Sequence, residues 1–242
     1  MKRQKVRKFL IILSFLLFPV TIYYFSPYLI IQGASEGIIN GSFIVFSVML
    51  FASLFFGRAF CGWLCPAGGL QECLTLISDK RAKGGRRNWT KYIIWIPWIA
   101  VIAVISISAG GFSKIDFLYQ TTSGISVANA MSYIVYYAVL LLIVVLSLTT
   151  GKRGFCHYAC WMSPFMIIGT KIKDLLKIPS LHLTADPAKC IDCKQCTKKC
   201  PMSLEVDAMV KKGCMRNTEC ILCGECVAGC PKSAIKYRIT NK

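Results

Sequence analysis

The apolar residues of this chain are gathered into four long blocks, set apart by short stretches rich in glycine, serine and charge. Phe9 to Ile31 carries no charged residue. At 23 residues it exceeds the roughly 20 needed to cross a hydrocarbon layer. A second block runs from about Ser42 to Phe60, with Arg58 near its end. The third is Tyr92 to about Ala109, where Pro97 is expected to interrupt the helix, and the fourth is Tyr133 to about Thr150. Pro19 and Pro27 are expected to bend the first block, with neighbouring helices satisfying the freed backbone. The pattern predicts a membrane all-α four-helix bundle. A secretory signal peptide would explain only the first block, which is longer than an h-region and lacks a clear small-residue cleavage site.

The polar stretches between the blocks differ in charge. Lys2, Arg3, Lys5, Arg7 and Lys8 come first; residues 32–41 hold Glu36 and no lysine; Lys80, Arg81, Lys83, Arg86, Arg87 and Lys91 follow. Residues 110–132 hold only Lys114 and Asp116, and Lys152, Arg153, Lys171, Lys173 and Lys177 lie after the fourth block. Basic loops stay on the cytoplasmic side. The alternation therefore predicts a multi-pass protein of a prokaryotic cytoplasmic (inner) membrane, with both termini in the cytoplasm and the 32–41 and 110–132 loops facing outward. Acidic and basic residues make up 17% of the chain and hydrophobic residues 55%, against roughly 25% charged in soluble domains. The net charge is +18, of which +13 lies in residues 1–180 and +5 in 181–242. Because most of it flanks apolar blocks, membrane lipid rather than nucleic acid is the expected partner.

Eight of the fourteen cysteines change the picture again. Cys190, Cys193, Cys196 and Cys200-Pro201 form one C-x2-C-x2-C-x3-C-P run, and Cys220, Cys223, Cys226 and Cys230-Pro231 form another. In this pattern the fourth cysteine ligates the other cluster. Cys190, Cys193, Cys196 and Cys230 are therefore assigned to [4Fe–4S] cluster A, and Cys220, Cys223, Cys226 and Cys200 to cluster B. Soft thiolates also suit zinc, but zinc sites present cysteines in pairs rather than in threes. Such ligands must stay reduced, which agrees with a cytoplasmic location. Residues 181–242 read as a small bacterial-type 2[4Fe–4S] ferredoxin domain of α+β class, too short to bury a large core. Ile191, Leu204, Ile221 and Ile235 are expected to pack around the clusters, with turns at Gly224 and Gly229. Cys214 is left without a ligand role. Lys194, Lys198, Lys199, Lys211 and Lys212 suit either an acidic soluble ferredoxin or flavoprotein, as donor or acceptor, or anionic lipid headgroups.

The four apolar blocks make two tandem hairpins, about 9–77 and 92–177, in a parallel internal repeat. Each ends alike: Gly57-Arg58-Ala59-Phe60-Cys61-Gly62-Trp63-Leu64-Cys65-Pro66, and Gly151-Lys152-Arg153-Gly154-Phe155-Cys156-His157-Tyr158-Ala159-Cys160-Trp161. Cys61 and Cys156 are 95 residues apart, as are Cys65 and Cys160. An i,i+4 pair puts both thiols on one helical face. Four thiols from two hairpins suit a third iron–sulfur cluster or a metal ion, a pair of dithiols that cycle to disulfides, or the plain packing of helix ends by cysteine. His157 is a candidate accessory ligand or proton relay, against an ordinary interfacial histidine bonded to backbone. After each pair, 70–77 and 165–177 read as amphipathic interfacial helices, with Cys73 an apolar filler and Pro179 marking the domain boundary. Two histidines and no C-x-x-C-H exclude a chain of haems.

With Cys61-Gly62-Trp63-Leu64-Cys65-Pro66, Cys156-x3-Cys160 and the two cluster motifs in place, nearly the whole chain resembles the membrane-bound four-span ferredoxins of the NapH and NosR type. The resemblance implies electron transfer, quinol oxidation as proposed for some members, and partners such as other ferredoxins or exoplasmic flavin or haem proteins. The family repeats C-x3-C-P, whereas here Cys160 is followed by Trp161 and proline returns only at Pro164. The flavin-binding extension of the NosR type is missing, so a flavin is expected only through a partner. The function expected is a membrane electron conduit between a cytoplasmic carrier, the clusters, and a membrane quinone or partner redox subunit. This would be an enzyme only as a quinol dehydrogenase-like component of a redox complex. The alternatives are an accessory reductase of metals or disulfides during assembly of another enzyme, and a structural anchor subunit. The hydrocarbon core is about 30 Å thick and no ligand set lies within the four blocks, so a quinone or a cofactor-bearing partner is needed to take electrons further.

Overall fold

The structure, a computed structural model, describes residues 2–240. Met1, Asn241 and Lys242, which belong to the basic N-terminal segment and the ferredoxin domain in the sequence reading, lie outside the described residues. The chain has a mixed α+β fold, with a large helical part followed by a small lobe built on a two-stranded sheet.

The first apolar block is not one helix. It forms α1 (Lys2–Leu16), α2 (Phe18–Thr21), a 3-10 turn (Ile22–Phe25) and α3 (Pro27–Ser35). The axis bends by 60° between α1 and the following segment. Both prolines sit in first turns, where a missing N–H costs nothing, and Ser26 caps α3 by accepting from the Leu29 N–H. Strand β1 (Ile38–Asn40) leads into α4 (Gly41–Phe56). That helix stops short of the expected Phe60 because Gly57 turns left-handed at φ +54°. Phe60 falls in the separate short helix α5 (Ala59–Trp63), followed by α6 (Pro66–Leu74). Helix α7 (Thr90–Ser108) runs through Pro97 without interruption, contrary to expectation. One lost backbone bond costs less than exposing several more to lipid. After β2 (Lys114–Asp116) come α8 (Ala130–Thr150), α9 (Gly154–Tyr158) and α10 (Ser163–Leu175). Among the described residues α7 and α8 alone are long and apolar enough to cross a membrane, and the bent α1–α2 pair makes a third if taken as one span. The 16 residues of α4 reach only about 24 Å.

The outer surfaces of these helices are apolar. Ile93 is 71%, Ile107 79% and Leu141 64% exposed, an arrangement that suits lipid and not water. Inside, the two repeats cross. Helix α6 packs on α1 and α8, and α10 packs on α4 and α7, so segments expected to lie flat at the interface are wedged among the long helices. Glycines permit the close approach: a Cβ on Gly69 would meet the Ile11 carbonyl oxygen at 2.3 Å, and one on Gly169 would meet that of Leu50 at 2.8 Å.

The two ends of the bundle differ. At one end β1 and β2 pair in parallel, Ile38 opposite Lys114 and Asn40 opposite Asp116, which joins the 32–41 and 110–132 segments. At the other end α1, the cysteine segments and residues 79–91 meet the C-terminal lobe. That lobe comprises β3 (Ser180–Ala185), α11 (Gln195–Lys198), α12 (Val206–Lys211), α13 (Glu225–Ala228) and β4 (Ile235–Thr240). Antiparallel pairing of Ser180 with Thr240 through Ala185 with Ile235 ties its start to its end.

Candidate functional site

The C-terminal lobe is built from two loops thirty residues apart with one backbone shape. Left-handed φ values recur at Asp192 and Leu222 (54° and 48°), at Lys194 and Gly224 (54° and 74°), and at Ser203 and Ser233 (52° and 49°). Left-handed residues interleaved with right-handed ones turn successive N–H groups inward and make a concave nest for an anion. Non-glycine residues held this way cost about 1–3 kcal/mol each, so the surrounding structure must fix them. Cys190, Cys193, Cys196 and Cys230 line one cavity of the lobe, together with Val210 and Ile235. Cys220, Cys223, Cys226 and Cys200 line the other, with Met202 and Ile221. In each cavity the fourth thiol comes from the opposite cysteine run. The first set is open, Cys193 being exposed and Cys190 and Cys230 half-buried, while Cys200, Cys223 and Cys226 of the second set are buried.

Four thiols, a nest of N–H groups and an apolar shell fit an anionic cubane. Burial pushes the Cys220 thiol up to about 11 and the Cys223 thiol up to about 12, so it takes a bound metal to displace their protons. No three His, Cys, Asp or Glu side chains among the described residues close around a single ion; a cubane spreads its thiolates over separate corners. Ile221 and Ile235 are buried as expected, but Ile191 is 56% exposed. The core is filled instead by Met202, Val206, Val210 and Met215. The 201–219 connection supplies these residues, partly through α12.

The second cysteine set lies where the repeats cross. Cys61, Cys65, Cys156 and Cys160 are all buried, at 2–3% exposure. Both copies share a local fold: the N–H of Cys65 donates to the Phe60 carbonyl (3.0 Å), and that of Cys160 to the Phe155 carbonyl (2.9 Å). Six residues after the second cysteine of each copy, one side chain reaches across to the first cysteine of the other. Gln71 Nε2 donates to Cys156 Sγ at 3.2 Å, and Met166 Sδ lies 3.8 Å from Cys61 Sγ. Burial raises the Cys61 and Cys65 thiols and pushes Cys160 up to about 12; the neighbouring cysteines raise all three further. Each thiol thus lies within range of the others' charge.

Two arginines face this set, and the sequence reading gave them no role. Arg58 and Arg153 each stand three residues before the first cysteine of their copy and are 1% exposed. Their 95-residue offset is the signal that would have found them. Arg153 donates to the Cys61 carbonyl (2.9 Å) and to Glu72 (3.0 Å). Nε and Nη2 of Arg58 and Nε of Arg153 have no hydrogen-bond partner among the described residues. Orphaned buried cationic donors beside four thiols are what an anionic metal centre would satisfy.

The two cysteine regions touch. A Cβ on Gly62, between Cys61 and Cys65, would meet the Ile221 carbonyl oxygen at 2.3 Å and the Cys223 Cα and N at 3.3 Å. Trp63 Nε1 donates to the Leu222 carbonyl (3.1 Å), and Gln4 Nε2 to that of Cys223 (2.9 Å). Buried ion pairs surround the contact. Arg58 and Lys91 both hold Glu219 at 2.6 Å, and Arg7 bridges Glu72 to Glu225 (2.7 Å). Burial alone would raise the Glu219 carboxyl, but Arg58 and Lys91 hold it below the usual range.

His157 is 1% exposed and its Nδ1 lies 3.0 Å from Asn88 Oδ1. Burial lowers it to about 4, so it is neutral at pH 7. Nε2 has no hydrogen-bond partner among the described residues. Cys73 is half-buried and Cys214 exposed. An apolar cavity of about 530 Å³ lies among the helices, bounded by Phe18, Ile22, Val139 and Ile143 and by Pro66, Phe155 and Trp161, the chain neighbours of Cys65, Cys156 and Cys160.

Comparison with known proteins agrees with this division. The family model described as a 4Fe-4S binding domain matches residues 41–84 and again 134–179, and a 4Fe-4S dicluster domain matches 189–235. Protein MJ0750 of Methanocaldococcus jannaschii is 26% identical over 185 residues, 72% of this chain and 71% of that protein. YccM of Escherichia coli, whose name assigns it provisionally to electron transport, is 24% identical over 207 residues, 80% of this chain and 54% of its own length. The methylamine utilization ferredoxin-type protein MauN of Methylobacillus flagellatus is 21% identical over 184 residues, 73% of this chain and 60% of that protein. The chain thus spans between half and three quarters of these relatives. No solved structure matches it. The protein is a helix-rich, 4Fe-4S-domain protein related distantly to ferredoxin-type electron-transport proteins.

Proposed function

We propose that this is a membrane electron-transfer protein that relays electrons between a soluble cytoplasmic carrier and a quinone in the bilayer or a partner redox subunit. Cys190, Cys193, Cys196 and Cys230 hold one [4Fe–4S] cluster; Cys220, Cys223, Cys226 and Cys200 hold a second; Cys61, Cys65, Cys156 and Cys160 hold a third. Bound clusters supply one-electron chemistry at potentials set by charge, hydrogen bonds and burial. The apolar blocks cross the membrane four times, with both termini in the cytoplasm.

The observation that carries this function is the seat of Gly62 on the Ile221–Cys223 backbone. It leaves no room for even a methyl group between the buried ligand loop and the crossing point of the repeats. The open set at Cys193 shares its cavity with Lys194 and Lys232, both exposed, which suit an acidic carrier. The apolar cavity beside Pro66 and Trp161 has the size and lining of a small-molecule site and fits a quinone ring. Dithiol cycling is disfavoured, because the thiolate is the reactive form and burial raises the Cys61, Cys65 and Cys160 thiols.

Iron and sulfide analysis with EPR on anaerobically purified protein tests the assignment. About 12 iron atoms per chain are expected, falling to about 8 in a Cys61→Ser, Cys160→Ser variant. Native protein with about 8 would remove the third cluster. Quinol added to membranes, or a reduced acidic carrier, should reduce the clusters; if neither does, the relay is wrong.

A further inference from the structure

Between α1, α6 and the C-terminal lobe runs a second, polar cleft of about 700 Å³. Several of the charged groups lining it are spent on each other. Arg153 holds Glu72, Lys152 holds Asp79 at 2.5 Å, and Glu225 is taken by Arg7. Three lysines remain: Lys8 from the membrane helix, and Lys198 and Lys199 from the lobe. All three line the cleft, all are exposed, and none has an ion-pair partner among the described residues.

The cleft also has an apolar lining. Ile12, one turn past Lys8 on α1, is 41% and Leu76, just past α6, is 90% exposed. Two turns beyond Lys8 the same side of α1 continues with Leu16 at 67% exposure. The cleft therefore straddles the line where a basic rim gives way to a lipid-facing surface. A soluble anion would use only the rim, and an apolar ligand only the apolar lining.

We propose that this cleft is a binding site for an anionic phospholipid. Its phosphate sits among Lys8, Lys198 and Lys199, and its acyl chains run along Ile12 and Leu76. Because Lys8 belongs to the bundle and the other two to the lobe, the headgroup also ties the lobe to the membrane. The site rests on the membrane placement proposed above.

The test uses the full iron-loaded chain in nanodiscs of phosphatidylcholine with a minor fraction of phosphatidylglycerol, and native mass spectrometry after release into detergent. Retained phosphatidylglycerol is expected in excess over its share. Lys198→Gln with Lys199→Gln should cut that excess on the order of tenfold, at unchanged iron content. Leu76→Ser, on an already exposed residue, should weaken it too. Lys236→Gln with Arg238→Gln removes equal charge elsewhere on the lobe and should have no effect. Equal retention of the two lipids overturns the site while leaving the membrane placement intact. Displacement of the lipid by millimolar inorganic phosphate or glycerol phosphate, with Leu76→Ser silent, also overturns it, in favour of a free-oxyanion site. A chain that stays monodisperse without detergent or lipid overturns the membrane placement itself.

Discussion

Replacing Arg153 by glutamine isolates the role of a single buried charge. The guanidinium is 1% exposed, bonds the Cys61 carbonyl at 2.9 Å and Glu72 at 3.0 Å, and leaves Nε without a partner among the described residues. Glutamine can still donate to the carbonyl, and Glu72 keeps Arg7 at 2.9 Å, so no carboxylate is stranded. The substitution removes one positive charge beside four thiols. A [4Fe–4S] centre bound there gains a negative charge on reduction, and a nearby cation favours that state. A hydrogen bond to a charged group is worth about 1.5–3 kcal/mol. With about 59 mV per 1.4 kcal/mol for a one-electron couple, the midpoint potential of the third centre should fall by about 65–130 mV. Arg153→Lys keeps the charge without the fork and should recover much of the loss. The assay is an EPR-monitored redox titration with iron analysis on the same samples. Full iron loading with an unmoved potential in the glutamine variant would refute the role given to the arginine.

Three further outcomes are expected. Gly62→Ala drives a methyl group into the Ile221 carbonyl oxygen and should cost about 1–3 kcal/mol. That lowers the docking equilibrium constant of the lobe about five- to 150-fold, read as slower quinol-driven reduction of the lobe's clusters at normal iron content, whereas Gly84→Ala, whose added carbon would meet only the Asn88 amide at 3.9 Å, should match the native rate. Glu219→Gln strands the buried Arg58 and Lys91, and losing one partner of a buried pair costs about 3–5 kcal/mol. Limited proteolysis between Lys177 and Lys189 should accelerate, and a native cleavage pattern would contradict the ion-pair account. In the iron-loaded protein a water-soluble maleimide should modify the exposed Cys214 and spare the eight cavity cysteines, which become reactive only after chelation of iron; peptide mapping distinguishes the two.

Spacing along the chain was enough to sort eight cysteines into the two groups that share cavities. A C-x2-C-x2-C-x3-C-P run fixes which thiols one loop can gather, and nothing distant alters that. The third and fourth apolar blocks were equally plain and appear as α7 and α8, whereas the first is broken into short helices and the second yields only the 16 residues of α4. The interruptions were not plain, since Pro97 is absorbed within α7 while Gly57, at the head of the first cysteine segment, ends α4. The left-handed turns at Asp192, Lys194 and Leu222 were hidden because none is glycine; the fold imposes them. Arg58 and Arg153 were visible at the repeat offset, but their significance lies in burial. The Gln71 and Met166 pair escaped because the two side chains share no chemistry, only position. The docking contacts were out of reach: Arg58 and Glu219 are separated by 161 residues, and no local pattern links them.

The distribution of redox-capable residues limits what one copy of this chain can do. Segments 32–41 and 110–132, which meet through β1 and β2, contain neither cysteine nor histidine. All fourteen cysteines lie at or after position 61, and the bundle holds its own at the end that meets the lobe. The 19 residues of α7 put about 28 Å between the two ends. Under the relay proposed above, electrons at the crossing point of the repeats would meet no cysteine or histidine on the way to the β1–β2 end. They would then have to leave through a carrier that enters from the bilayer or through the cofactor of another subunit. The apolar cavity beside Pro66, Phe155 and Trp161 admits the first kind. Filling it with Ala67→Phe should then abolish quinol-driven cluster reduction while leaving reduction by a soluble carrier intact. Loss of both, at full iron content, would mean that the cavity shapes the cysteine site rather than serving it, and would leave a partner subunit as the only exit.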